Sequence, residues 1–203
     1  MDETGIYKTI KAPSEGSYKE KGSKFLAFAH PVSTEDEFKE ILADLKKRFY
    51  DARHHVYAFR IGADKKFYRC SDDGEPPNSS GPPVLGQILS FDLTNIAIIV
   101  VRYFGGTKLG VPGLINAYRS ATSDAIQNAE IIEVTETKTV EIKFQYPAIG
   151  NVMRIINEEG LEVLDRKMLT DCKFVLSIKV PDFERVIERI EDLRMCEIKK
   201  VKS

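Results

Sequence analysis

The sequence predicts a two-domain α+β protein, and three observations predict it. Apolar residues recur at helical spacing in some segments and alternate or run continuously in others, so helices and strands interleave along the chain. The chain is 203 residues long, enough for one large domain or two small ones. After Ile132 the texture changes, and a full β-α-β-β-α-β pattern fits into about 65 residues.

Composition sets the outer limits. With 42% hydrophobic and 30% charged residues, the chain is not of the disordered class. Its longest purely apolar run, Ile96 to Val101, is far short of the roughly 18 residues a membrane helix needs, so no membrane partner is expected. The opening MDETGIYKTI has neither a basic n-region nor an apolar h-region and does not read as a secretory signal. Cys70, Cys172 and Cys196 are odd in number, scattered and outside any CxxC pair. Neither a disulfide framework nor a structural zinc site is expected, and a reducing cytoplasm is the expected location. Net charge is −1, with 17 basic against 18 acidic residues up to Glu133 and 13 against 13 beyond it. Any polyanion site must therefore come from local clustering rather than overall basicity.

The elements follow in order. The stretch to about Lys21 has no clear period and reads as a frayed or edge-strand opening. Lys24 to His30, with Phe25, Leu26 and Phe28, suits a strand that Pro31 ends. Thr34 and Glu37 form an S/T-x-x-E capping box, opening a helix whose apolar stripe is Phe38, Ile41, Leu42, Leu45 and Phe49. Lys46, Lys47 and Arg48 in its last turn complement the negative end of the helix dipole, a reading favoured over the alternative of phosphate binding. His54 to Ile61 is strand-like, Gly62 to Lys65 a hairpin turn, and Phe67 to Cys70 the return. SDDGEPPNSSGPPVLG, holding four of the nine prolines, reads as a loop. Ile96 to Val101 is a β-branched run expected to be a central strand buried on both faces. Arg102 to Gly113 is a glycine-punctuated loop, and Leu114 to Ala129 a small-residue-rich helix.

Beyond the Thr-rich, charged stretch Glu133 to Lys138, Val140, Ile142 and Phe144 alternate as a strand. A helix from Ala148 to Glu158 ends at Gly160, a natural C-cap. Leu161 to Asp165 and Lys173 to Val180 read as strands, Pro181 and Asp182 start a helix, and Cys196 to Val201 closes as a strand. That order is the ferredoxin-like split βαβ pattern. The domains are placed at 1–134 and 135–203.

Three stretches bear on chemistry. In VVRYFGGTKLGVPGL, residues 100–114, a buried strand opens into a loop with Gly105, Gly106, Gly110 and Gly113 before a helix begins. Glycines let main-chain N–H groups approach a ligand, and a helix N-terminus favours an anion. Arg102, Lys108 and Arg119 add positive charge, and no Asp or Glu occurs from Leu93 to Ser123. Tyr103 and Phe104 are candidates to stack on a base, and Lys24 joins the nucleic-acid-binding set. The spacing is neither a P-loop nor GxGxxG, and a tight strand-to-helix connection needs the same glycines. In SDDGEPPNSSG, residues 71–81, Asp72, Asp73 and Glu75 are candidate oxygen ligands for a hard divalent cation, but they are too crowded for a calcium loop, and a solvated turn around Asp73-Gly74 is the favoured reading. His54 and His55 are adjacent on a strand and point to opposite faces, which argues against a dihistidine metal centre. His54, His55, Asp72, Asp73, Glu75 and Ser79 are the pocket candidates. No catalytic residue, metal site or cofactor is assigned, since no nucleophile stands in a strand-turn-helix elbow.

These motifs together resemble the YigZ/Impact family: KGSKF at 21–25, ARHHVYAFRIG at 52–62, SDDGEPPNSSGPPVL at 71–85 and VVRYFGGTKLGVPGLINAY at 100–118. The tail from about residue 137 is similar to the small C-terminal domain of bacterial members. The resemblance implies an N-terminal ribosomal-protein-S5-domain-2-like domain followed by a ferredoxin-like domain, an adjacent pair similar to one in elongation factor G. It also implies a role in regulating translation, because the eukaryotic relative competes for the activator of the amino-acid-starvation kinase. Bacteria lack that kinase, so the partner itself does not carry over. Pro112 stands where the family loop GGxxLGxGGL has a glycine, removing one N–H donor, and Ser79-Ser80 stands for its Thr-Ala.

The leading expectation is a non-catalytic protein binding RNA, the ribosome or a translation factor through the glycine loop. A second is a protein-interaction module offering the edge of its C-terminal sheet. A third, a nucleotide- or metal-dependent enzyme, requires Asp72, Asp73, one of the two histidines and Lys108 to converge, and a small-molecule ligand is the least expected. The sequence sets no oligomeric state.

Overall fold

A computed structural model describes residues 5–200. The chain divides into two compact units, one spanning Tyr7–Val134 and the other taking in Thr135 onward with the start of the chain up to Ile6.

The larger unit is built on a five-stranded sheet. Its strands are β2 (Ser14–Glu20), β3 (Ser23–Pro31), β4 (His54–Ile61), β5 (Phe67–Ser71) and β6 (Ile96–Tyr103), in the order β2-β3-β6-β4-β5. Every neighbouring pair is antiparallel. The continuous run Ile96–Val101 is fully buried at the centre of the sheet, since each of its faces meets a helix layer. The opening stretch forms two strands rather than a frayed segment. β2 is the sheet's edge, and β1 (Ile6–Ile10) pairs with β7 (Ile131–Thr135).

On one face lies α1 (Glu35–Arg48), whose Phe38 and Leu45 pack with Phe28, Phe59, Ile99 and Val101. The Glu37 N–H donates to the Thr34 hydroxyl at 3.2 Å, as a capping box requires. The Glu37 carboxylate reaches one residue further back and accepts from the Ser33 N–H at 2.6 Å.

On the other face, α2 (Gly81–Ser90) and α3 (Gly110–Gln127) bury Val84, Ile88, Leu114, Ala117, Tyr118 and Ala121 against Phe25, Ala27, Val56, Ile98 and Val100. The sequence places all of 71–86 in a loop, but the helix begins at Gly81. Pro82 and Pro83 sit in its first turn, where a missing N–H costs no hydrogen bond. Likewise α3 starts at Gly110, four residues before the expected Leu114, so the glycine loop shrinks to residues 104–109.

The smaller unit contains β8 (Thr137–Gln145), α4 (Ile149–Glu158), β9 (Glu162–Lys167), β10 (Asp171–Lys179), α5 (Phe183–Glu191) and β11 (Cys196–Lys200). The sheet order is β11-β8-β10-β9 with antiparallel neighbours. Val140, Ile142, Phe144 and Leu176 pack on Val152, Ile155, Val186 and Ile190 of the two helices. Val201, expected in the last strand, lies outside the described residues. No helix among the described residues is long and apolar enough to cross a membrane.

Candidate nucleic-acid interface

Sheet register gathers the chemically informative residues at one end of the larger unit. Lys24 of β3 pairs with Tyr103 of β6, and His54 of β4 pairs with Arg102. The end of β6 therefore lies beside the β2–β3 turn and the α1–β4 connection. The loop after β5, which carries the acids, opens at the same end because β5 runs antiparallel to β4. Lys21, Lys24, Lys46, Lys47, Arg53 and Lys108 are exposed there. Arg119 is exposed further along α3. None of these seven is ion-paired among the described residues.

The acids at this end are mostly occupied. Asp72 caps α2: its carboxylate accepts from the N–H groups of Asn78 (2.8 Å), Ser80 (3.0 Å) and Gly81 (2.8 Å) and from the Ser80 hydroxyl (2.7 Å). Burial opposes its ionisation, but these bonds outweigh burial and hold the carboxyl below its ordinary range. The Asp73 carboxylate accepts from the His55 N–H at 2.6 Å, and its carbonyl meets His54 Nδ1 at 2.8 Å. Asp51 accepts from the Tyr103 hydroxyl at 2.8 Å. Glu20, the last residue of β2, is the exception: it is half-buried with Oε2 unpartnered.

Glu75 brings the main correction. The acid-free window from Leu93 to Ser123 leaves Arg102 uncompensated in sequence, but not in space. The Arg102 Nη1 donates to both Glu75 oxygens at 2.6 and 2.8 Å, and the Tyr118 hydroxyl donates to Glu75 Oε1 at 2.7 Å. Arg102 is 6% exposed, Glu75 8% and Tyr118 0%. Burial first, and Glu75 beside it, push the Tyr118 phenol far above its ordinary range, so it remains a donor. Arg102 is thus an internal strut and not a surface cation. Glu75 leaves the pocket set for the same reason.

The other expected residues separate by face. Arg102 and His54 lie on the α2–α3 face, whereas Tyr103, Lys24 and His55 lie on the α1 face. Tyr103 is half-buried with its hydroxyl engaged, so Phe104, 53% exposed, is the open ring of the pair. The two histidines do point to opposite faces. His55 is buried with Nε2 unpartnered, and burial lowers its pKa below the usual 6.5. Ser79 is fully buried with its hydroxyl on the Pro76 carbonyl at 2.7 Å.

The glycines also divide. A Cβ on Gly105 would stand 1.9 Å from the Gly22 carbonyl carbon, and the Gly105 N–H donates to the Ser23 hydroxyl at 3.1 Å. Gly105 therefore clamps the loop to the β2–β3 turn and offers no amide to a ligand. Gly106 (φ +86°) and Gly110 (φ +70°) are exposed; Gly106 has open space around it, and a Cβ on Gly110 would meet only the Pro112 ring at 3.9 Å. Both need glycine for their backbone angles. Gly110 lies at the start of α3, where the Gly110 and Val111 amides have no intrahelical acceptors and Pro112 has no N–H.

Sequence reasoning leaves Lys21 and Arg53 out of the set, and favours a helix-dipole role for Lys46 and Lys47 over a phosphate-binding one. Tyr50, 84% exposed between α1 and β4, was also missed. The sheet pairing that joins these separated segments was the needed signal. Among the described residues, no group of three or more His, Cys, Asp or Glu is arranged to hold a metal ion.

A two-unit α/β protein with unpaired cations and an open aromatic ring at one sheet end is the class these features define. A family model described as "Impact N-terminal domain" matches residues 21–126. The "IMPACT family member in pol 5'region" of Thermus thermophilus is 35% identical over 77% of this chain and 84% of its own. The "IMPACT family member YigZ" of Escherichia coli K12 is 29% identical over 81% of this chain and 87% of its own. A solved structure titled "Crystal structure of an hypothetical protein" covers 98% of both chains with a TM-score of 0.74 and 21% identity, a likeness of fold. The chain belongs to the IMPACT family.

Proposed function

We propose that this protein binds RNA at the cationic sheet end, acting as a non-catalytic accessory of the ribosome or a translation factor in the cytoplasm. The observation that carries the reading is the set Lys21, Lys24, Lys46, Lys47, Arg53 and Lys108. These exposed, unpaired cations share one end, while Asp51, Asp72, Asp73 and Glu75 there accept hydrogen bonds from within the unit. A chain of net charge −1 can grip a polyanion if its free cations are local. The reading also takes 1–134 as an S5-domain-2-like domain and 135–203 as a ferredoxin-like one. The βαββαβ order and the sheet order β11-β8-β10-β9 support the second assignment.

The test is binding across a salt series, with Lys24, Lys108 and Arg53 each changed to Ala. Removing a cation that neutralises one phosphate should lower the salt slope by about 0.7 for single strands. Wild-type slopes in all three variants refute the assignment of this end. Co-sedimentation with ribosomes on a sucrose gradient tests the translational setting.

A second reading, protein interaction through the smaller unit, is favoured by one observation. A cleft of about 840 Å³ there is bordered by Leu169 and Met195, which are 72% and 59% exposed. Leu169→Asp should abolish a nuclease-resistant partner in pull-downs if this reading holds, and leave RNA binding unchanged.

A further inference from the structure

A column of four side chains leads from the core to the surface beneath the glycine loop. Tyr118 meets Phe25 edge-on with ring centroids 5.1 Å apart. The Arg102 guanidinium carbon lies 5.4 Å from the centre of the Phe25 ring and 5.7 Å from that of Phe104. Glu75, accepting from both Arg102 and Tyr118, keeps the guanidinium between the two rings. Exposure rises along the column, from 0% at Tyr118 and Phe25 through 6% at Arg102 to 53% at Phe104.

An exposed phenylalanine usually loses side-chain freedom when a ligand covers it, and that loss weakens binding. Phe104 already has a buried cation over its ring, an arrangement favoured by the ring's quadrupole. About half its surface remains open, and the residues beside it are Gly105, Gly106 and Thr107.

We infer that Phe104 is a base-stacking platform, and that the RNA of the proposed function is single-stranded at this point. This rests on the proposed RNA-binding reading and deepens it. A flat apolar ring at the same sheet end as the unpaired cations suits an unstacked base between phosphates. Duplex RNA keeps its base faces inside the helix and offers only phosphates, hydroxyls and base edges to a protein. Arg102 acts here as a positioning residue, setting the ring through Phe25, Glu75 and Tyr118 without touching RNA.

The chain contains no tryptophan, so Phe104→Trp installs a single fluorescent reporter at the site. The probes are oligo(A) and oligo(U) strands of about 12 nucleotides, and an RNA duplex of matching length. Expected are quenching of the indole emission of Phe104→Trp by the single strands and none by the duplex. Phe104→Leu should weaken single-strand binding about 5- to 100-fold and leave duplex binding unchanged. When Phe104→Trp is combined with Glu75→Leu and Arg102→Met, the indole emission anisotropy should fall and single-strand affinity drop, with the salt slope retained.

Equal effects of Phe104→Leu on both probes, or quenching by the duplex, overturn the stacking role while leaving the cationic interface standing. Unchanged anisotropy in the combined variant overturns the positioning role of Arg102. Absence of salt-dependent binding to any of the probes by the unsubstituted protein defeats the RNA reading itself, and the inference with it.

Discussion

Replacing Glu75 by Leu is the sharpest perturbation of the larger unit. The Glu75 and Arg102 side chains are 3% and 7% exposed, so Glu75→Leu leaves a buried guanidinium without its counter-ion. Breaking such a pair from one side costs about 3–5 kcal/mol. Arg102→Met should cost a similar amount. Removing both together leaves no buried charge. The main damage that persists is at the Tyr118 hydroxyl, whose missing acceptor costs about 1–3 kcal/mol. The double variant should therefore be more stable than either single one. The coupling energy should exceed about 3 kcal/mol, and adding Tyr118→Phe should recover most of the remainder. The assay is urea unfolding followed by tyrosine near-ultraviolet circular dichroism. With a slope of about 1–3 kcal/mol per molar for a domain of this size, each single change should move the midpoint by more than about 1 M. If the two changes add to within about 0.5 kcal/mol, the pair is not a coupled buried strut.

Further outcomes follow from other parts of the same unit. Gly105→Ala should prevent stable folding, because the new Cβ falls 1.9 Å from main-chain carbon. Gly86→Ala, in the middle of α2 with open space around it, should instead stabilise by about 0.5–1 kcal/mol. Thermal or urea unfolding checks both. Asp72→Ala should cost at least about 1–2 kcal/mol by uncapping α2. Asp72 has a lowered folded pKa, so its stabilisation is complete above its ordinary value of 3.8 and is lost as pH falls through the folded value. His55 also has a lowered folded pKa: the unfolded chain takes up the proton first, so stability is full above about pH 6.5 and declines below it. His55→Gln should reduce the dependence of the urea midpoint between about pH 7 and about pH 5, leaving the part due to His30, whose pKa burial also lowers.

Much of the fold was legible in the chain. The Thr34–Glu37 box, the β-branched run at Ile96–Val101 and the Gly160 cap (φ +60°) are signals of short range, and local periodicity reads them directly. The start of α2 was not legible. Gly81 with two prolines has loop composition, and its cap comes from Asp72, nine residues earlier. The site was legible only in part. Lys24, Lys108 and Arg119 are exposed as their types suggest, but the fate of Arg102 hung on a carboxylate 27 residues away.

The sequence by itself determined the alternation of helices and strands, the change of texture after Ile132 and the motifs that mark the family. These depend on periodicity, turn chemistry and spacing within a few residues. Tertiary structure alone decided which charges remain available. Antiparallel pairing brings the β2–β3 turn, the end of α1 and the β6–α3 loop to one sheet end, while Glu75 is drawn under β6 to neutralise Arg102. A charge's availability depends on what lies within a few ångströms of it and on how much water remains around it. Folding sets both, over separations that no local pattern in the chain records.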